Sequence, residues 1–166
     1  MPTDQDISAD LKKVLRFMPA PVGIVTSSDP DTAAPAGLAM SAIMPVSLDP
    51  AAMAVAINRS GSSHDTIVRS GHFCINLLHE VTREHLAPFA GSDRKGERFR
   101  LPGWVQRGQD WFIEDAPAKI FCTIVNSVAY GTHDVLVGEV SEVLASGEAG
   151  ILGWCDGQMG VLAPLA

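Results

Sequence analysis

The chain has 166 residues, enough for one domain with a substantial buried core. It is 46% apolar and only 19% charged, with 12 basic against 19 acidic residues and a net charge of -7. That balance argues against nucleic acid or an anionic membrane surface as the main partner, since both need a basic footprint. The polar, acidic start is neither a signal nor a transit peptide, and no apolar run approaches the length of a membrane span. Cys74, Cys122 and Cys155 are odd in number and widely spaced, which suggests reduced thiols of a cytoplasmic protein, two of them on buried strands, and offers no paired-cysteine zinc pattern. Part of the apolar surplus is expected to cover a subunit interface.

In chain order, Ile7, Leu11, Val14, Leu15 and Met18 recur as one face of an amphipathic helix that Pro19 and Pro21 stop. Residues 22–27 read as a short β-branched strand, and 29–35 as a surface loop. Residues 37–47 alternate small and larger side chains, a strand over which a flat ligand could reach backbone groups, with Pro45 implying an edge or a bulge. A turn at 48–50 leads to a buried strand over 51–57, a short helix from about His64, and a strand over 72–78. Residues 82–90 are expected to be helical with Leu86 and Phe89 inward, 91–99 a polar loop, and 104–114 irregular strand. Two long β-rich runs, 118–129 and 135–143, flank a hairpin tip that presents His133. The end, 151–162, reads as short strands broken by glycines. Six or seven strands with two or three irregularly placed helices, and no Gly-x-Gly-x-x-Gly after a strand, exclude a doubly wound fold and favour one mainly β domain, an antiparallel barrel with peripheral helices.

The stretch Asn58-Arg59-Ser60-Gly61-Ser62-Ser63-His64-Asp65-Thr66 carries the clearest chemical signal. A strand that feeds hydroxyls, an amide and unobstructed N–H groups into a helix start can hold a phosphate. The same residues also read as a loop with an N-cap, Ser62 and Asp65 having the spacing of a capping box. Arg94, Lys95, Arg98 and Arg100 form a local basic cluster suited to a phosphorylated ligand.

Four segments in this order, Gly37-Leu38-Ala39-Met40-Ser41-Ala42, Pro45-Val46-Ser47-Leu48-Asp49-Pro50, Ile57 through Asp65, and Gly71-His72-Phe73-Cys74-Ile75-Asn76-Leu77-Leu78, resemble the flavin reductase-like family. Arg98-Phe99 and Gly131-Thr132-His133-Asp134 extend the likeness, which runs from about Phe17 to Val143. The resemblance implies an FMN-binding split barrel, usually a homodimer, that often serves as reductase component of a two-component monooxygenase. It places Ser41 and Ala42 against the flavin ring, Ser47 and Asn58 at its polar edges, Ser60, Ser62 and Ser63 at the phosphate, and Arg98 and Phe99 near the ribityl or adenosine end. His133 matches a histidine associated with nicotinamide binding. Three departures stand out: Ala39 replaces a common threonine, Thr132 replaces an aspartate with Asp134 following, and the tail after Gly150 lacks the usual aromatic and arginine residues, with Trp154 or Met159 as substitutes.

The activity so implied is hydride transfer from NADH or NADPH to FMN or FAD. It needs no nucleophile or strong base, in keeping with the absence of a Ser/His/Asp or paired-carboxylate signature. His133 is then a hydrogen-bonding or wall residue for the nicotinamide. Residues His79 and His85 have no ligand-like neighbours for a metal, His64 and His72 are expected to be exposed, and Met18, Met40, Met44 and Met53 to fill core. Two alternatives stay open: a flavoprotein with fixed FMN acting on another substrate, and a non-catalytic flavin carrier. FMN is preferred over FAD only slightly, and the nicotinamide donor and the oxygenase partner are left open.

Overall fold

The computed structural model of the chain describes residues 4–91, 94–147 and 150–162. Residues 92 and 93 of the expected polar loop, and the first three of the acidic start, lie outside the described residues. Helix α1 is Asp4–Leu15 and α2 is His64–Ser70. The strands are β1 Ala20–Pro21, β2 Gly23–Ser28, β3 Pro35–Met40, β4 Ile43–Leu48, β5 Ala51–Asn58, β6 His72–Leu77, β7 Trp104–Arg107, β8 Asp110–Ile113, β9 Ala118–Tyr130, β10 His133–Ala145, β11 Ile151–Cys155 and β12 Gln158–Leu162.

Seven of these form one antiparallel sheet in the order β3-β2-β6-β9-β10-β5-β4. Its two edge strands, β3 and β4, are joined in sequence by Ser41 and Ala42 alone. A connection that short brings opposite edges together, so the sheet curls into a barrel whose seam carries no strand pairing. One expected strand over 37–47 is therefore two strands on opposite edges. Pro45 lies on the edge strand β4 beside a register shift, where a residue without an N–H costs no ladder bond.

The curled sheet encloses Val25, Val55, Ile57, Phe73, Ile75 and Leu136. Close packing here depends on Gly138 of β10, because a Cβ at that position would lie 2.6 Å from the Phe73 ring and 2.7 Å from Cys122 Cβ. Val22, Ile24, Leu78, Phe89, Ile113 and Leu152 form a second core at one end. It ties the barrel to the β7–β8 hairpin, to the small sheet β1-β11-β12, and to a 3-10 helix over Glu80–Phe89. Buried Asn76 donates to Ile24 O at 3.0 Å and accepts from Ile113 N–H at 2.8 Å, locking β2, β6 and β8 together.

Three expectations change. The apolar face of α1 buries nothing within the chain: Ile7, Leu11, Val14 and Leu15 are all exposed. Met40 and Met53 pack on the core, whereas Met18 and Met44 are exposed. His64 is buried and His72 half-buried, because each meets a carboxylate, Asp134 and Asp110 respectively, that sequence spacing does not pair with it. Among the described residues no helix is long and apolar enough to cross a membrane.

Candidate active site

Strand β3 supplies the site's axis. It has β2 as its single sheet neighbour, so its outer backbone edge is unpaired by strand, and its residues Ala36, Gly37 and Ala39 are small. Gly37 is closely packed: a Cβ there would lie 3.2 Å from both the Phe89 and Phe99 rings and 3.0 Å from Val25 O. From Pro35 to Ser41 the strand spans about 20 Å at the usual rise.

At the Pro35 end lies a polar cavity of about 310 Å³ lined by Ser62, Ser63, Thr66, Lys95, Arg98 and Phe99 together with residues 35–37. Here the serine loop and the basic cluster, 30 or so residues apart in sequence, meet. Ser63 Oγ donates to Gly37 O at 2.7 Å, and Arg98 donates to the same oxygen at 3.3 Å, to Pro88 O at 3.0 Å and to Gly91 O at 3.5 Å. Five guanidinium N–H groups less three leaves two for a ligand. Burial lowers the Arg98 pKa from its ordinary value, far too high a value for the group to lose its charge near neutrality. Phe99, at φ 62°, packs on Phe89 and Trp104 with centroids 5.3 and 4.6 Å away. The N-cap of α2 is Ser63, with no side-chain cap bond, so the expected Ser62–Asp65 capping box does not form.

At the other end, Ser41 and Ala42 are exposed and line an apolar cavity of about 390 Å³ with Met18, Pro21, Met44, Ala54, Ala56 and Val135. Ser41 also borders a third cavity, about 230 Å³, with Ala39, Leu86 and Trp154. Trp154 is thus a tail residue that reaches the Ser41 end of β3.

Asn58 and Ser60 line a separate pocket with Arg59, Gly131 and Thr132. Asn58 Oδ1 accepts from Ser60 N–H and Oγ–H at 2.9 and 2.8 Å, and Arg59 N–H donates to Thr132 O at 3.0 Å, docking the β9–β10 hairpin tip on the loop. His133 is the first residue of β10 and pairs with Asn58. Two residues on, and therefore on the same strand face, Val135 pairs with Ala56 and lines the apolar cavity. Thr132 Oγ1 lies 2.9 Å from His133 Nδ1, which leaves Nε2 for a ligand. Ser47 stands apart from these residues on β4, where its hydroxyl accepts from Asp49 N–H at 3.1 Å. Lys95 and Thr66 are site-lining residues to which motif reading alone gave no role; only the basic cluster hinted at Lys95.

A flavin fits this groove. The hydroxyls of Ser62 and Thr66 and two cations suit a phosphate monoester, and small residues on an unpaired strand edge suit a flat ring that hydrogen-bonds to main chain. Fold and site together define a class: a split β-barrel with an open groove along the edge strand. The family described as flavin reductase like domain matches residues 15–163. The chain belongs to that family. It is 35% identical over 140 residues to a flavin reductase (NADPH) of Lentzea aerocolonigenes, covering 82% of this chain and 80% of the relative. An FMN reductase (NADH) RutF of Variovorax paradoxus (strain S110) is 31% identical over 149 residues, 89% of this chain and 82% of that protein. Among solved structures, the NADH:FAD oxidoreductase SgcE6 of Streptomyces globisporus C-1027 superposes with TM-score 0.86 at 21% identity, over 100% of this chain and 99% of that one.

Proposed function

We propose that this flavin reductase, an NAD(P)H-dependent oxidoreductase, lays its flavin along β3, with the phosphate among Ser62, Ser63, Thr66, Lys95 and Arg98 and the ring over Ser41 and Ala42. The observation that carries the reading is the polar cavity at the far end of that strand, whose donor set suits a dianion. The bound nucleotides themselves supply the hydride chemistry. The chain binds, orients and excludes water. Apolar Met18, Pro21, Met44 and Val135 wall the ring end, and His133 offers a ring nitrogen to the nicotinamide carboxamide from the same strand face as Val135. Asn58, with its oxygen held by Ser60, has its amide nitrogen left for a ligand edge. Ser60 assists by that contact, and Ser47 supports the β4–β5 turn beside the ring.

Strand β3 and its cavities open to the surface, which favours an exchangeable flavin handed in reduced form to an oxygenase component. FMN fits with the least demand; the adenosine half of FAD would extend past Lys95 and Phe99. A second copy of the chain covers the groove. Helix α1 has 12 residues and buries none, and helices of that length are marginal in water without packing. Met44, Val46 and Leu48 on β4 and Val125, Val128 and Tyr130 on β9 are exposed too, and Met18 and Met44 also line the ring-end cavity. A homodimer therefore completes the wall of the site.

Anaerobic mixing with FMN and then NADH or NADPH, followed at the long-wavelength flavin band, tests the activity and names the donor. Bleaching with either nucleotide is expected. Bound flavin that stays oxidised with both would overturn the reductase reading, and ping-pong kinetics with retained flavin would overturn the exchangeable one. Sedimentation should show twice the chain mass.

A further inference from the structure

Beside the polar cavity stands a buried cluster that hydride transfer does not use. His64 opens α2 directly after Ser62 and Ser63, and its side chain is 10% exposed. Each ring nitrogen meets a carboxylate: Nδ1 lies 2.8 Å from Asp65 Oδ1, and Nε2 lies 2.7 Å from Asp134 Oδ2. Asp134 follows His133 on β10 and is 14% exposed, whereas Asp65 is 91% exposed. A carboxylate only accepts hydrogen bonds, and a neutral imidazole has one N–H, so both contacts are made together only by the imidazolium. Asp65 foremost raises the His64 pKa, burial opposes it, and Asp134 adds to the rise. Of the other charged groups, Lys95 and Arg98 line the polar cavity with Ser62, Ser63 and Thr66. The strands on which α2 packs, β2, β3 and β6, carry no carboxylate, lysine or arginine, and their one histidine, His72, lies 3.4 Å from Asp110. Arg59 donates to Gly131 O, and Arg69 pairs with Asp29 and Asp31.

We propose that His64 is a positioning residue for phosphorylated flavins: it fastens the serine loop that receives the phosphate to the strand that begins with His133. This rests on reading the polar cavity as the phosphate end. Loss of the ring proton removes the donor from one of the two contacts and leaves the cluster one unit more negative beside the bound phosphate. Phosphorylated flavins then bind less tightly, and riboflavin, which lacks the phosphate, is indifferent. By linkage, a bound phosphate holds the proton on His64.

Fluorescence titrations with FMN and riboflavin, from about pH 5.5 to about 9, bracket histidine's ordinary range. The preference for FMN over riboflavin is expected to fall about two- to five-fold as His64 titrates in the wild-type protein, the size of a partly screened charge contact. In His64→Gln that step is absent at every pH, and the remaining slope is the ionisation of the FMN phosphate itself. Asp65→Asn, at an exposed position where folding is not at risk, should move the step to lower pH. Identical preferences in wild type and His64→Gln across the range, or a step left unmoved by Asp65→Asn, would overturn the proposal. No FMN preference in the wild type at any pH would instead overturn the phosphate reading of the cavity.

Discussion

Replacing Arg98 by alanine is expected to cost both stability and phosphate affinity. Its guanidinium joins three segments through Pro88, Gly37 and Gly91 carbonyls and lies 5.1 Å from the Phe89 ring centroid. The bonds at 3.0 and 3.3 Å are real contacts, and the one at 3.5 Å is marginal. A hydrogen bond from a charged donor contributes about 1.5–3 kcal/mol, and at a half-buried site the lower end applies, so the two together give about 3 kcal/mol. For a chain of this length each kcal/mol moves Tm by about 2–4 °C, which puts the expected drop at about 6–12 °C. The two N–H groups left for a ligand add a separate signature. One charge-assisted bond to phosphate is worth about 1.4 kcal/mol at such a site, so the FMN-over-riboflavin preference should fall about ten-fold. Thermal melts by circular dichroism and paired flavin titrations read the two effects independently. A Tm within about 2 °C of wild type would refute the structural accounting, and an unchanged preference would refute the placement of the phosphate.

His133→Ala should lower kcat/KM for the nicotinamide about ten-fold, the worth of one hydrogen bond, with flavin Kd unchanged in titrations; an unaltered kcat/KM would favour a carrier role. Gly138→Ala forces a methyl against Phe73 and Cys122 in the core and should cost about 1–3 kcal/mol in denaturant unfolding while sparing KM. Burial pushes the Cys122 thiol up to about 12 and the Cys74 thiol still higher, so a disulfide reagent at mildly alkaline pH should label only exposed Cys155 in the folded protein; labelling of the other two before unfolding would contradict their burial. Because the folded-state pKa of His64 is raised, its contribution to stability is complete below about pH 6.5 and is lost as pH rises through that raised value. The Tm difference between wild type and His64→Gln should therefore narrow from acid to alkaline pH, and a constant difference would show that the ring's charge contributes nothing.

Much of the molecule is legible in local pattern. Runs rich in β-branched and apolar residues mark the long strands β9 and β10, and their short join marks a hairpin, because strand pairing through a tight turn is a local event. Pro45 announced an edge strand for the same kind of reason. The order of the small-residue strand, the serine loop and the Gly-Thr-His-Asp turn was sufficient to indicate the family.

Other features depend on contacts between residues far apart in sequence. That residues 37–47 break at Ser41 and Ala42 into the two edges of one sheet follows from barrel closure, which no local period encodes. The burial of His64 follows from Asp134, 70 positions away, and the pairing turns an apparently exposed helix-start histidine into a clamped one. Ser63 could cap a helix or face a ligand; the nearness of Gly37 O decides that its hydroxyl is spent on β3. Sequence by itself determined which segments become strands, since that depends on side-chain type and short spacing. Only the tertiary structure decided which of the serines and cations share a cavity, and that α1 has its apolar face outward, because those outcomes rest on packing across the closed barrel.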